Sequence, residues 1–450
     1  MPTATPVARR PSGGAAVTAG RLAFALAVAF LALAPASAVA AGLADRLPAL
    51  AAEKAAAAIA VRQHLHAHPE LSNREEATAE RVAAELRELG LQVRTGVAHH
   101  GVVAVLRGGR PGPVVAVRAD MDALPVTEKT DLPFRSTVRT TFAGQEVGVA
   151  HACGHDVHTA VQLGVAAMLT AARAELPGTV IFVFQPAEEG VPPGEEGGAP
   201  MMLAEGVFGD LQPQAMFALH SQPDIDAGTA QVVAGPTMAA ADRFRATITG
   251  KQAHGAAPHL SIDPVVTAAQ AILALQTIRS RSLPPREASV VTVGIVRGGE
   301  RFNIIPAEVY LEGTVRTYGA ETQDSVERRM REILDGTTRA AGAAFTLDYE
   351  RVTPATVNDD ALTLRVRKSL EAALGEANVR TAEPMMAAED FAYFANVVPS
   401  VYFGLGVREP GGVSGGLHTP DFRAADASVP AGMRAMSRVI VDYLEAGAGD

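Results

Sequence analysis

The sequence predicts an α/β fold in which a mostly parallel sheet is flanked by helices and a second domain of β-α-β-β-α-β order is inserted. Two observations support this prediction. Short apolar runs bounded by Gly, Pro or polar residues are typical of buried strands, and segments with helical spacing, such as 75–89 and 159–174, separate them. The predicted strands are 102–106, 114–117, 180–184, 215–219 and 401–405. Such alternation indicates helices on both faces of the sheet.

The first element along the chain is an apolar N-terminal segment. Three arginines within the first 21 residues precede an apolar run at 22–33, and small residues follow as far as Ala40. These are the parts of a secretory signal peptide, and the run is too short for a comfortable membrane span. We therefore predict a signal peptide at 1–40 and an exported protein, periplasmic or secreted, without stable membrane insertion after cleavage. A membrane anchor is the alternative.

The remaining chain divides into two predicted domains. Residues 41–238 and 352–450 carry the strand and helix alternation, and residues 239–351 have a different rhythm. The expected strands of the inserted part are 244–249, 289–296, 308–317 and 345–351, and its expected helices are 264–280 and 322–341. This order is that of a ferredoxin-like unit.

Composition restricts the functional classes. The 450 residues are 48% hydrophobic and 20% charged, which is enough apolar material for a large core. A net charge of −10 and the absence of Trp argue against a nucleic-acid partner. Cys153 is the sole cysteine, so no intramolecular disulfide can form.

The strongest local motif is the eight-residue segment 151–158, which holds one cysteine, three histidines and an aspartate. A thiolate and an imidazole two residues apart, Cys153 and His155, can both reach one metal ion. Asp156 could then support a ligating imidazole without binding the metal itself. The alternative is a polar loop with a buried structural cysteine.

Acidic and imidazole side chains follow other predicted strands. Glu188 and Glu189 come after one strand, where one carboxylate can bind a metal while its neighbour addresses a water molecule. His220 and His418 are weak signals individually, and Asp120 follows a further strand. Ligands bind at the carboxyl ends of the strands of open α/β sheets, so this common placement predicts one site.

Taken together, several motifs resemble the M20 metallopeptidase family, in particular its aminoacylase, hippurate hydrolase and auxin-conjugate hydrolase branch. The matching segments occur in the same order over nearly the whole chain after residue 40. They are 68–71, 118–125, 153–158, 185–190, 251–255, 302–306 and 416–420.

The resemblance implies a metal-dependent amidohydrolase acting on N-acyl amino acids or similar small amides, with two divalent ions per subunit. Zinc or manganese is expected, with cobalt or nickel as alternatives. It implies five metal ligands, called here the five predicted ligands: Cys153, His155, Glu189, His220 and His418. Glu188 corresponds to the general base and His254 to an oxyanion-stabilising histidine of the inserted domain.

The same resemblance implies that Asn303 and Arg316 hold the substrate carboxylate, and that the inserted domain is a lid through which a homodimer forms. Many members of the superfamily have a ligating His-x-Asp segment where this chain has Arg118-Ala119-Asp120. Arginine cannot bind a metal, so Asp120 is expected to act as a supporting acid.

Three rival functions are considered. Residues 412–416 match G-x-S-x-G, but they lie in a Gly-rich loop without the strand and helix that a serine hydrolase needs. A dipeptidase or carboxypeptidase on the same scaffold is the nearest alternative. A non-catalytic, exported, metal-dependent solute-binding protein is the third, although a binder has no need for Glu188 beside a ligand.

Overall fold

The computed structural model describes residue 15 and residues 42–447. Apart from that single position, the predicted signal peptide lies outside the described residues. Within this described part, no helix is both long and apolar enough to cross a membrane.

The described residues form both helices and strands. The helices are α1 (Leu43–Ala67), α2 (Glu76–Glu88), α3 (His155–Ala171), α4 (Gly198–Ala204), α5 (Pro264–Leu275), α6 (Ala320–Ala341), α7 (Asp360–Leu374), α8 (Phe391–Ala395) and α9 (Ser428–Ala446). The strands are β1 (Gln92–Val97), β2 (Gly101–Arg107), β3 (Arg110–Asp120), β4 (Arg139–Phe142), β5 (Gln145–Gly148), β6 (Pro177–Gln185), β7 (Ala215–Asp226), β8 (Ala230–Val232), β9 (Gly235–Met238), β10 (Ala240–Thr249), β11 (Ala253–His254), β12 (Ser289–Arg297), β13 (Ile304–Ile305), β14 (Glu308–Thr317), β15 (Ala344–Thr353), β16 (Thr356–Asn358), β17 (Val379–Thr381) and β18 (Ser400–Arg408).

The larger sheet confirms the predicted α/β class. In the residues described, it has eight strands in the order β1-β2-β6-β3-β7-β18-β8-β17. Its centre is parallel, because β3 runs parallel to β6 and β7, and β18 runs parallel to β7. β1 and β2 add antiparallel strands at one side.

Both faces of this sheet are covered, as the residues of β6 illustrate. Phe182 and Phe184 join the core beneath α1, α2, α3, α7 and α9, whereas Ile181 and Val183 join a second core that includes residues of α4 and α8. Neighbouring side chains of a strand point to opposite faces. All four are fully buried, which explains why the strand is a continuous apolar run without alternation.

The inserted segment forms a separate four-stranded antiparallel sheet in the order β12-β14-β10-β15. Along the chain its elements run β10, α5, β12, β14, α6, β15, which is the predicted β-α-β-β-α-β order. Residues of α5 and α6, such as Ala271 and Met330, pack against this sheet and give it its own apolar clusters. The domain boundaries and the lid role stay predictions.

The segment leaves and rejoins the larger part of the chain at one place. β9 precedes it and β16 follows it, and these two short strands pair with each other, with Met238 opposite Thr356. The two chain crossings between the sheets therefore lie side by side.

Candidate metal centre

Neighbouring parallel strands bring the predicted site residues together. β3 ends at Asp120, which is in register with Gln185, the last residue of β6. Glu188 and Glu189 follow β6 directly, and His220 lies within the adjacent part of the sheet on β7. The carboxyl ends of parallel strands meet at one sheet edge, so the predicted common placement is present.

Cys153 and His155 flank the start of α3. Gly154 between them is the N-cap residue with φ of 89°, a conformation that residues with a side chain rarely adopt. An added Cβ there would lie 2.5 Å from the Ser221 Oγ. Glycine thus allows the loop to approach β7. This approach places the thiol of Cys153 near the imidazole of His220, which lies on β7.

The five predicted ligands converge. The Cys153 Sγ lies 3.4 Å from the His220 Nε2, and the Glu189 Oε1 lies 3.7 Å from the His155 Nε2 and 3.3 Å from the His418 Nε2. Cys153 belongs to two groups whose ligand atoms lie within 4.8 Å of one another, with His155 and His220 in one, and with Glu189 and His418 in the other.

The arrangement of atoms fits metal ions. The His155 Nε2 and the Glu189 Oε1 are buried without a hydrogen-bond partner among the described residues. Buried polar atoms are normally paired, and a thiolate, imidazoles and a carboxylate are ligands of zinc and of other divalent transition metals. Two groups sharing one thiol fit a dinuclear centre.

His418 reaches the cluster from the loop after β18. Its backbone N–H donates to the Ala152 carbonyl over 2.8 Å, which ties this loop to the one carrying Cys153. Its φ of 62° is unusual for a residue with a side chain. Ala187, just before the two glutamates, also has a positive φ, 53°. Such strained positions cluster at functional sites.

Asp122 contacts a predicted ligand, although the sequence did not single it out. Its Oδ1 lies 3.2 Å from the His155 Nδ1, and its Oδ2 accepts the Glu189 backbone N–H over 2.9 Å and the Ser72 hydroxyl over 2.7 Å. It therefore orients two ligands at once. Its position two residues after Asp120, in the matched segment 118–125, was the available signal.

The predicted role of Asp156 is wrong. Its carboxylate accepts from the Arg62 Nε over 2.8 Å and pairs with the His66 Nδ1 at 2.9 Å, rather than with a predicted ligand. Although burial opposes its ionisation, Arg62 and His66 hold the pKa of Asp156 far below its ordinary value. The physical reason is helix geometry: adjacent residues of α3 point in different directions, so His155 and Asp156 diverge.

Asp120 lies next to the cluster, with its Oδ2 3.8 Å from the His155 Nε2, and its supporting role stays a prediction. Its Oδ2 accepts from the Arg118 Nη1 and its Oδ1 pairs with the His158 Nδ1, both at 2.6 Å. The buried guanidinium of Arg118 also donates to Glu389 over 2.8 Å and to Asp390 over 3.1 Å. Because this pair of acids lies about 270 residues away along the chain, no local motif indicated it.

Glu188 lies beside the cluster in an acidic environment. Its Oε2 is 3.8 Å from the His155 Nε2, and its carboxylate also groups with those of Glu389 and Asp390. Burial, followed by the charges of Glu389, Glu189 and Asp390, raises the pKa of Glu188 well above its ordinary value. Such a carboxylate readily accepts a proton.

Residues of the inserted domain predicted to contact substrate lie on two elements. His254 is exposed, pairs with Ile304 across β11 and β13, and accepts the Ala256 N–H at its Nδ1. Asn303 adjoins this pair, and its Oδ1 is buried without a partner among the described residues. Within that same part of the chain, no hydrogen bond or ion pair joins these two residues to the metal cluster.

Arg316 lies on β14 and lines a cavity of about 420 Å³ on the sheet of the inserted segment. Partial burial lowers the pKa of its guanidinium. The described residues supply no hydrogen-bond partner for it, so it is free to pair with an anionic group.

The serine-hydrolase alternative fails on geometry. The Ser414 hydroxyl donates to the Arg423 carbonyl over 2.8 Å and accepts the Arg423 backbone N–H over 3.1 Å. These bonds hold the hydroxyl within its own loop, and no histidine in the described residues contacts it.

Comparison with known proteins gives a consistent family. The profile of peptidase family M20/M25/M40 matches residues 116–442. The N-acetyl-L-cysteine deacetylase of Bacillus subtilis is 39% identical over 76% of this chain and 79% of its own length. The N-acetylcysteine deacetylase of the same organism is 38% identical over 78% of this chain and 88% of its own length.

A solved structure agrees with these sequence relatives. The YXEP protein of Bacillus subtilis, a dinuclear metal-binding peptidase from the M20 family, superposes with a TM-score of 0.74. It is 33% identical, and the match covers 88% of this chain and 99% of that chain.

The predicted localisation is wrong. The comparison with the two Bacillus subtilis deacetylases contradicts an exported, periplasmic or secreted protein. The prediction relied on the composition of a short N-terminal segment alone, and basic residues followed by an apolar run do not define an exported protein by themselves.

Proposed function

Because the chain belongs to peptidase family M20/M25/M40, we propose that it is a metal-dependent amidohydrolase that cleaves N-acyl amino acids or similar small amide conjugates. The observation that carries this proposal is the convergence of the five predicted ligands beside Glu188. N-acetylcysteine, the substrate in the names of two relatives, is itself an N-acyl amino acid and the first compound to test.

The five predicted ligands would hold two divalent cations. Zinc or manganese is expected, with cobalt or nickel as alternatives. Zinc suits the thiolate of Cys153 best, whereas the carboxylate of Glu189 suits manganese as well. When bound, such cations supply Lewis acidity, which polarises a carbonyl and lowers the pKa of water.

Glu188 would act as the general base. It would take a proton from the attacking water and transfer it to the departing amine, which requires a carboxylate with an elevated pKa. Its burial beside Glu389 and Asp390 supports this role.

Residues 239–351 would act as a lid that completes the site. In this proposal His254 stabilises the oxyanion of the tetrahedral intermediate, while Asn303 and Arg316 hold the substrate carboxylate. A guanidinium is well suited to carboxylate recognition, and the free Arg316 guanidinium beside a cavity supports this assignment.

The lid domain would also form the homodimer. Its helix α5 exposes Val265, Val266 and Leu273, the last of which is 73% exposed. Apolar side chains exposed in this way are typical of an interaction surface. Leu273→Glu should convert a dimer into a monomer in analytical ultracentrifugation. A wild-type monomer, or a dimer that survives this substitution, would reject the assignment of this surface.

The decisive experiment measures amine release from N-acyl amino acids and from dipeptides. Metal-stripped enzyme is compared with enzyme reloaded with zinc, manganese or cobalt. Turnover of acyl amino acids that returns only with metal supports the proposal, and turnover of dipeptides alone would favour a peptidase.

Glu188→Gln separates an enzyme from a binding protein. The amide keeps the size of the side chain but cannot accept the proton, so turnover should fall by roughly 10²-fold or more while both ions remain bound. Glu205→Gln, a change at a glutamate that accepts the Ala98 N–H away from the cluster, is the matched control. Unchanged turnover in Glu188→Gln would remove the general-base assignment.

A further inference from the structure

Behind the metal cluster lies a buried chain of hydrogen bonds centred on His158. This residue is on α3, three positions after His155, and is 1% exposed. Its Nδ1 is 2.6 Å from the Asp120 Oδ1, and its Nε2 accepts the Ser221 backbone N–H over 2.8 Å. The Ser221 hydroxyl is a further neighbour, with its Oγ 3.0 Å from the same Nε2.

These contacts define where the proton of His158 resides. Asp120 is an ion-paired carboxylate bound by Arg118, so it can only accept, and the His158 Nδ1 must donate to it. The Ser221 backbone N–H can only donate, so the His158 Nε2 must offer its lone pair. The ring therefore carries its proton on Nδ1.

The chain continues from Ser221 to a predicted metal ligand. The Ser221 carbonyl accepts from the His220 Nδ1 over 2.8 Å. This leaves the lone pair of His220 on Nε2, the atom that lies 3.4 Å from the Cys153 Sγ. The backbone of a single residue, Ser221, thus joins the ring of His158 to the ring of His220.

We propose that His158 is a positioning residue, which together with Asp120 fixes the Ser221 backbone so that His220 presents its Nε2 to a metal ion. This inference rests on the proposed metal-dependent function. It adds a set of residues that orient one ligand through the N–H and the carbonyl of Ser221 without contacting the ion: Arg118, Asp120, His158 and Ser221.

Two other roles for these residues do not fit the geometry. Asp120, His158 and Ser221 have the composition of a nucleophilic triad, but Ser221 is fully buried. Moreover, the Nε2 that would take the hydroxyl proton already accepts a backbone N–H. His158 is not itself a metal ligand either, because both ring nitrogens are in use.

The test compares two substitutions of His158 in the full-length chain. His158→Phe keeps a ring but removes both hydrogen bonds, whereas His158→Gln retains an acceptor where Nε2 lies. Zinc affinity of the metal-stripped protein is measured by chelator competition. For His158→Phe, the affinity for one of two ions should fall roughly 10- to 100-fold, and His158→Gln should recover part of that loss.

A matched control separates positioning from a general loss of stability. Gln162 lies one turn further along α3, is 3% exposed and donates one buried hydrogen bond to the Val183 carbonyl over 2.8 Å. Gln162→Leu should lower the unfolding temperature but leave both zinc affinities unchanged. Wild-type affinities in His158→Phe, or an equal loss in Gln162→Leu, would overturn the proposal.

A second measurement does not depend on folding of the variants. Long-range ¹⁵N NMR of histidine rings in the wild-type protein reports which nitrogen carries the proton. The proposal requires an Nδ1–H ring at both His158 and His220, and an Nε2–H ring at either one would overturn it. Failure of the wild type to bind any of zinc, manganese, cobalt and nickel would instead reject the proposed function, whatever the ring protonation.

Discussion

Gly154 should tolerate no side chain, and the reason can be worked out from its position between Cys153 and His155. Its φ of 89° lies in the left-handed region. An added Cβ would come within 2.5 Å of the Ser221 Oγ and 2.7 Å of the Ser221 Cβ. Both distances are shorter than van der Waals contact, and fully buried Ser221 has no free space to move into.

The magnitude for Gly154→Ala follows from two contributions. A residue with a Cβ in the left-handed region costs about 1–2 kcal/mol. Inserting a methyl group into a packed site costs about 1–3 kcal/mol more. The lower backbone entropy of unfolded alanine offsets roughly 0.4–1 kcal/mol, so the ranges combine to about 1–5 kcal/mol, and we expect the free energy of unfolding to fall by about 3 kcal/mol.

Urea unfolding of metal-stripped protein measures this change, with Gly90→Ala as the control. Gly90 has a similar φ of 71°, but among the described residues no atom lies within 4 Å of an added Cβ. It should lose only about 1 kcal/mol, from backbone strain. Equal losses in the two variants would show that the contact with Ser221 contributes nothing and would refute the reasoning.

Three further predictions follow from the site and its surroundings. Burial lowers the pKa of His151 to about 4, whereas an unfolded histidine titrates near 6.5; below that pH the unfolded chain takes up the proton first, so stability falls as the pH drops towards 4. The free energy of unfolding is measured by urea titration at pH 7 and at pH 4. In His151→Leu the decrease between these two pH values should be smaller by up to about 3 kcal/mol, and an unchanged pH dependence would contradict this prediction. Arg118→Leu leaves Asp120, Glu389 and Asp390 without their shared cation, so it should cost about 3–5 kcal/mol in thermal or urea unfolding; a loss below about 1 kcal/mol would show that the acids find other partners. His254→Ala should lower kcat far more than the amount of bound metal determined by elemental analysis, because the proposed oxyanion-stabilising role does not involve holding the ions. An equal loss of metal would reject that role.

The fold was largely predictable because burial leaves a strong trace in the sequence. The five predicted strands of the larger sheet all exist, because the predicted parts of β3, β6 and β7 are uninterrupted apolar runs that are buried except at Val114. The β4–β5 hairpin was missed for the converse reason. Every residue of β4 is exposed, so no apolar alternation marks it.

Site residues that follow strand ends were predictable from the sequence. Those whose contacts depend on the direction of the side chain were less so. The sequence identified Cys153 and Glu189, because each lies in a short motif next to a strand or helix terminus. It assigned Asp156 wrongly, since a one-residue step on α3 turns the carboxylate towards Arg62. The Glu389–Asp390 pair was missed because its link to Arg118 depends on tertiary contacts alone.

The pairing of β9 with β16 has a consequence for how such a chain can be built. Met238 and Thr356 face each other across this ladder, so removing the residues between them would leave two strand ends that a short turn could join as a hairpin. The whole segment is thus an insertion at a single hairpin loop. Exchange of that loop for a different length of chain would leave both the register of the larger sheet and the order of its other strands unaltered.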